Sequence, residues 1–153
     1  MMGFFKKKQE ILHFPVACQK IDLNQVPDAV FSQRLLGDGV AIVPTGTLIC
    51  APCDAEVVQI FPTNHAIGLM TPLGLELLIH IGIDTVELKG EGFKRLATPG
   101  QHIKAGEPIV EVDLEYVKRM GKALETPIII TNMEKVQQID AKDPSVLMTI
   151  TLK

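Results

Sequence analysis

His65 and His80 stand fifteen residues apart in a stretch otherwise free of histidine. A neutral imidazole is nucleophilic near pH 7, because its unperturbed pKa is about 6.5. It can take an electrophile such as a phosphoryl group as a covalent intermediate. A second imidazole nearby can donate a hydrogen bond to the phosphoryl oxygens and offset their charge. Phosphoryl transfer asks mainly for alignment and charge stabilisation, so a site for it can be small. Thr63, two residues before His65, has a hydroxyl that can fix that ring.

These rings need elements to carry them, and the pattern around His80 supplies one. Leu75, Leu77, Ile79, Ile81 and Ile83 fall on one face of a period-two strand, with Glu76, Leu78, His80, Gly82 and Asp84 on the other. His80 therefore points away from the core, and Gly82 clears space beside it. His13 in the tail and His102 in a Gly-flanked turn have no such setting and read as structural or surface residues.

Similar β-type runs follow one another along the chain: 16–23, 40–43, 47–50, 56–61, 65–70, 75–81, 85–88, 108–112, 128–131, 136–139 and 146–152. Turn signals rich in Gly, Pro, Asn and Asp separate them, and most of the twelve glycines and ten prolines lie between runs. Helix is scarce. Leu114 to Lys122 can form about two turns, and Asp28 to Leu36 can coil after Pro27. The units Gly46 to Pro52 and Gly100 to Pro108 echo each other as turn-then-strand. The expected fold is all-β, a sandwich or barrel-like single domain with a few short helical turns.

At 153 residues, 46% hydrophobic and 22% charged, the chain fits one globular domain, and a net charge of −3 gives no reason to bind nucleic acid. No apolar run is long enough to span a bilayer. The expected organisation is a flexible tail over residues 1–15 and a β domain over 16–153. Phe4-Phe5 beside Lys6-Lys7-Lys8 allows at most weak contact with an anionic membrane surface. Three cysteines without a secretion signal point to a reducing, cytoplasmic setting. Cys50-Ala51-Pro52-Cys53 is a C-x-x-C, but the residues after it read as turn then strand. A thiol-lowering helix N-terminus is thus missing, and redox chemistry is disfavoured. No second C-x-x-C, H-x-H or H-E-x-x-H supplies a metal-ligand set.

The stretches Gly37 to Ile42, Pro44-Thr45-Gly46, Thr63-Asn64-His65-Ala66 and His80 through Lys94 closely resemble the glucose-family enzyme IIA domain of the bacterial phosphoenolpyruvate-dependent sugar phosphotransferase system. The similarity continues through Thr126-Pro127-Ile128 and Thr131-Asn132-Met133 and covers roughly residues 16–152. The resemblance implies a phosphocarrier with the family's antiparallel β-sandwich fold and only short helical turns. Such domains accept a phosphoryl group from the histidine-containing phosphocarrier protein and pass it to a cysteine of a sugar-specific IIB domain of a membrane permease. Carried onto this chain, His80 holds the phosphoryl group on Nε2, His65 stabilises it and Thr63 orients His65. Val30, Phe31, Leu36, Phe61, Leu78 and Val86 form an apolar docking face, with Asp28 and Asp84 as acidic groups for basic partner residues. No cofactor or metal is implied.

The chain departs from the family in two places. It has Ala17-Cys18-Gln19 where members commonly have Ser-Gly-Glu, and Asp54-Ala55 where they usually have Asp-Gly. Alanine disfavours positive φ, so those turns must do without it. Two other function classes stay open at this point. One is a regulatory module whose phosphorylation state selects target proteins; the other is a zinc hydrolase on a related β scaffold.

Overall fold

The computed structural model describes residues 7–153. The described residues run through thirteen strands: β1 (Gln9–Leu12), β2 (Cys18–Asp22), β3 (Asp38–Pro44), β4 (Leu48–Cys50), β5 (Ala55–Ile60), β6 (Ala66–Met70), β7 (Glu76–His80), β8 (Phe93–Arg95), β9 (His102–Ile103), β10 (Pro108–Val112), β11 (Thr126–Ile130), β12 (Val136–Asp140) and β13 (Met148–Leu152). Two short α-helices, α1 (Ala29–Ser32) and α2 (Leu114–Arg119), join them, with three single 3-10 turns. Every named pairing is antiparallel. One seven-stranded sheet has the order β2-β3-β11-β7-β6-β5-β9, and two three-stranded sheets have the orders β4-β10-β8 and β1-β13-β12. The all-β architecture expected from the strand pattern is found, with the antiparallel pairing that the family resemblance implies.

Period two explains how one sheet serves two cores. Val40 and Ile42 of β3, Leu77 and Ile79 of β7, and Ile128 and Ile130 of β11 all enter the large core shared with both small sheets. The residues between them turn the other way. Ala41 and Ile129 join Leu23, Val26, Phe31 and Ile83 in a second, smaller core, against which Leu78 packs. The segment from the 3-10 turn Leu23–Gln25 through α1 thus covers the second face of the large sheet, the face that carries His80. Asp28 starts α1 by accepting a hydrogen bond from the Val30 amide at 2.8 Å. Asp113 does the same for α2 through the Tyr116 amide.

Three expectations need correction. Residues 9–12, assigned to a tail, form β1, which pairs with β13, and Leu12 is fully buried in the main core. Its pattern is too short and too polar to stand out, because only one of its four residues is buried. Met1 to Lys6, with Phe4-Phe5 of the expected membrane contact, lie outside the described residues. Thr85–Leu88 is a 3-10 turn and not a strand. Asp84 at φ 59° and Lys89 at φ 56° close it at both ends, and the Thr85 hydroxyl donates back to the Ile81 carbonyl at 2.6 Å. Finally, His102 sits in β9 rather than in a turn, although it is exposed.

The two departures from the family need no positive φ. Cys18 and Gln19 lie in β2, Ala55 opens β5 opposite Ile103, and neither stretch contains a left-handed residue. Among the described residues, no helix is long and apolar enough to cross a membrane.

Candidate phosphoryl-transfer site

The fifteen-residue spacing of the histidines is that of a hairpin. β6 and β7 pair with Ala66 opposite His80, and the Ile81 amide donates to the His65 carbonyl at 2.7 Å. Ala66, the small residue across from His80, leaves room for an imidazole. His65 lies just before β6, where Asn64 at φ 62° has broken the strand alternation. Its ring meets that of His80 edge-on, with centroids 5.1 Å apart and planes at 82°. The two rings are therefore neighbours, within reach of one small group.

Each ring is held at one nitrogen. His80 Nδ1 lies 2.7 Å from the Gly82 carbonyl. A carbonyl only accepts, so the neutral ring must carry its proton on Nδ1 and keep the lone pair on Nε2. His65 Nδ1 lies 2.6 Å from the Thr63 hydroxyl. With that hydroxyl donating, the remaining proton of His65 sits on Nε2 as a donor. Phe31 packs on His80 at 5.1 Å between centroids, and Phe61 meets His65 edge-on at 5.8 Å.

Gly82 contributes more than space. It has φ 72°, and a Cβ there would lie 2.6 Å from Thr85 Cγ2 and 2.9 Å from the Ala123 carbonyl oxygen. Its amide donates to the buried Thr126 hydroxyl at 3.2 Å, and that hydroxyl donates to the Leu124 carbonyl at 2.9 Å. Both ends of the residue are thereby fixed, the amide by β11 and the carbonyl by His80.

Burial pushes both histidines toward the neutral form that a nucleophile and a neutral donor require. His65 is pushed down to about 4, first by desolvation and then by His80. His80 is also lowered by desolvation, opposed by the Gly82 carbonyl and by the charges of Asp28 and Asp84. The two carboxylates flank the site and favour an imidazolium, but burial prevails.

The expected apolar docking residues divide into three groups. Val30, Leu36 and Val86 are exposed on the segments beside the site, as is Leu35, which the sequence reading missed. Phe31 is buried and forms the wall behind His80, so it has no free surface to offer. Phe61 and Leu78 are half-buried, the first against His65 and the second against the small core. Thr126 was also missed as a site residue: it is distant in sequence, and only the β7–β11 pairing brings it near.

The competing chemistries find little support. Burial raises all three thiols, and Cys53 reaches about 12 with help from Glu10 and Asp54, so the C-x-x-C is held as unreactive thiols. Among the described residues, no group of three or more His, Cys, Asp or Glu side chains is placed to hold a metal ion.

Comparison with known proteins converges on one family. The signature described as "phosphoenolpyruvate-dependent sugar phosphotransferase system, EIIA 1" matches residues 10–136. A glucose-specific EIIA component from Haemophilus influenzae is 46% identical over 127 residues, covering 83% of this chain and 76% of that protein. Its counterpart from Bacillus cereus is 39% identical and covers 97% and 94%. A glucosamine-specific EIICBA component from Bacillus subtilis is 47% identical, with the match covering 80% of this chain and 20% of that protein. Among solved structures, the glucose permease IIA of Mycoplasma capricolum superposes with a TM-score of 0.84 at 37% identity, covering 97% of this chain and 99% of that one.

Proposed function

Because the chain belongs to the EIIA family of the phosphoenolpyruvate-dependent sugar phosphotransferase system, we infer that His80 is the residue on which it carries its phosphoryl group. The protein is a phosphotransferase component. It accepts the group from the histidine-containing phosphocarrier protein and passes it to a IIB domain.

In the first step the Nε2 lone pair of His80 attacks phosphorus on the carrier's phosphohistidine. The N–P bond to the carrier breaks, and its electron pair returns to the carrier's imidazole. In the second step a cysteine thiolate of the IIB domain attacks phosphorus, and the P–Nε2 bond returns its pair to His80. The observation that carries this reading is the 2.7 Å contact from Nδ1 to the Gly82 carbonyl, which leaves Nε2 as the free nucleophile. A proton on Nδ1 also lets the Gly82 carbonyl stabilise the positive charge that spreads over the ring once Nε2 is bonded to phosphorus.

His65 donates from Nε2 to a phosphoryl oxygen, and Thr63 sets that tautomer. A neutral donor at this place offsets charge as it moves between partners, yet does not hold the phosphoryl group as tightly as a cation would. Val30, Leu36 and Val86 give the partners an apolar contact, with Asp28 and Asp84 as its acidic points. The names of the relatives support a hexose such as glucose as the final acceptor.

The test is phosphorylation by phosphoenolpyruvate and the two general carrier proteins. Wild type acquires an acid-labile, alkali-stable phosphoryl group and His80→Ala acquires none. His65→Gln accepts the group but passes it on poorly. Full labelling of His80→Ala sinks the assignment.

A further inference from the structure

Arg95 ends β8, in the small sheet β4-β10-β8, yet all its side-chain hydrogen bonds cross to the large sheet. Its Nε–H donates to Asn64 Oδ1 at 3.0 Å, and Nη2 donates to the carbonyls of Ile60 at 3.1 Å and Phe61 at 3.3 Å. Among the described residues it makes no ion pair. An exposed arginine that gives its donors to a neutral turn instead of a carboxylate is acting as a brace.

The braced turn is the one that carries Phe61, Thr63 and His65. It closes through the Asn64 amide to the Phe61 carbonyl at 2.7 Å and the Phe61 amide to the Ala66 carbonyl at 3.0 Å. Asn64 at φ 62° is in the left-handed region, which costs a non-glycine residue energy, although asparagine tolerates it better than most. Reversal of the chain at Asn64 is what lets Thr63 Oγ1 reach His65 Nδ1, two residues on. The Arg95 fork grips this turn at three points, the Ile60 and Phe61 carbonyls and the Asn64 side chain.

We propose that Arg95 is a positioning residue for phosphoryl transfer, holding the 60–64 turn so that Thr63 and His65 keep their places beside His80. The proposal rests on the reading of His80 and His65 as the transferring pair. Arg95 acts through His65, so its loss falls on the step that needs His65 rather than on attack by His80. Small displacements of an aligning group are costly in transfer reactions. The planar fork also matters, because Arg95 supports the turn from two separate nitrogens, Nε on Asn64 and Nη2 on the Ile60 and Phe61 carbonyls, where lysine offers a single one.

The experiment uses the full chain as wild type, Arg95→Met, Arg95→Lys, His65→Gln, His80→Ala and the double variant Arg95→Met/His65→Gln. Two rates are followed: acceptance from the phosphorylated carrier and transfer to a IIB domain. Arg95→Met should accept within about twofold of wild type and transfer about tenfold more slowly. Arg95→Lys should remain impaired, and the double variant should be no slower than His65→Gln. Heteronuclear NMR of the His65 ring should report a changed Nδ1 environment in Arg95→Met while the unfolding midpoint stays close to wild type. Onward transfer within twofold of wild type, or rate losses in the double variant that multiply, overturns the role of Arg95. Labelling of His80→Ala would instead remove the pair on which the proposal rests. The two failures are therefore distinguishable.

Discussion

Gly82→Ala isolates the turn that orients His80. At φ 72° the added methyl forces a left-handed alanine, a cost of about 1–2 kcal/mol. Its Cβ would stand 2.6 Å from Thr85 Cγ2 and 2.9 Å from the Ala123 carbonyl oxygen. Thr85 is fully buried and tied to the Ile81 carbonyl, and Ala123 is bridged to Ile83 through its backbone. Neither neighbour can yield cheaply, so overpacking adds about 1–3 kcal/mol. The expected loss is about 2–5 kcal/mol in urea unfolding. Gly100→Ala is the control, because Gly100 has φ 91° with nothing within 4 Å of the added carbon. It should lose only the conformational part, about 1–2 kcal/mol. The same shift moves the Gly82 carbonyl off His80 Nδ1, so phosphoryl acceptance should fall at least tenfold in Gly82→Ala and stay unchanged in Gly100→Ala. Equal stability losses in the two variants would refute the packing argument. Normal acceptance by a folded Gly82→Ala would refute the role given to the carbonyl.

Further expectations concern protons and the buried threonine. His65 falls from 6.5 unfolded to about 4 folded, so the unfolded state binds the proton more readily between these values. Folding stability should be intact above pH 6.5 and decline as pH falls toward 4, by about 3 kcal/mol from this residue. Urea titrations of His65→Gln should lose most of that slope; an unchanged slope contradicts the depressed pKa. His80 is lowered as well, so the midpoint of the acceptance rate against pH should lie below 6.5, whereas a midpoint at or above 6.5 contradicts the burial effect. Thr126→Val leaves the Gly82 amide buried without its acceptor, a loss of about 1–3 kcal/mol that Thr126→Ser should largely restore.

The large sheet was legible because alternation runs cleanly from Leu75 to Ile81, and the structure buries each of those odd-numbered residues in the main core. Ile83, expected on the same face, enters the second core instead, because the left-handed Gly82 ends the alternation after His80. The histidine hairpin was legible for a related reason, since turn signals at 71–74 separate two clear runs. Where one residue's backbone decides the outcome, periodicity fails. Thr85 to Leu88 has strand-like composition, yet the left-handed Asp84 and the Thr85 hydroxyl coil it into a 3-10 turn. β8 and β9 are three and two residues long, too short to leave a period. Phe31 looked like surface beside Val30, but α1 is a single turn folded onto the second core, which draws Phe31 in and leaves Val30 out. The roles of Thr126 and Arg95 depend on contacts 44 and 31 residues away in sequence, which no local pattern encodes.

Because the Gly82 carbonyl occupies Nδ1, Nε2 of His80 should be the atom that takes the phosphoryl group. Heteronuclear NMR of the phosphorylated, ring-labelled protein reads the N–P bond directly. Phosphorus should couple to Nε2 of His80, with Nδ1 of the same ring still protonated. Coupling to Nδ1 of His80, or to either nitrogen of His65, would contradict this assignment.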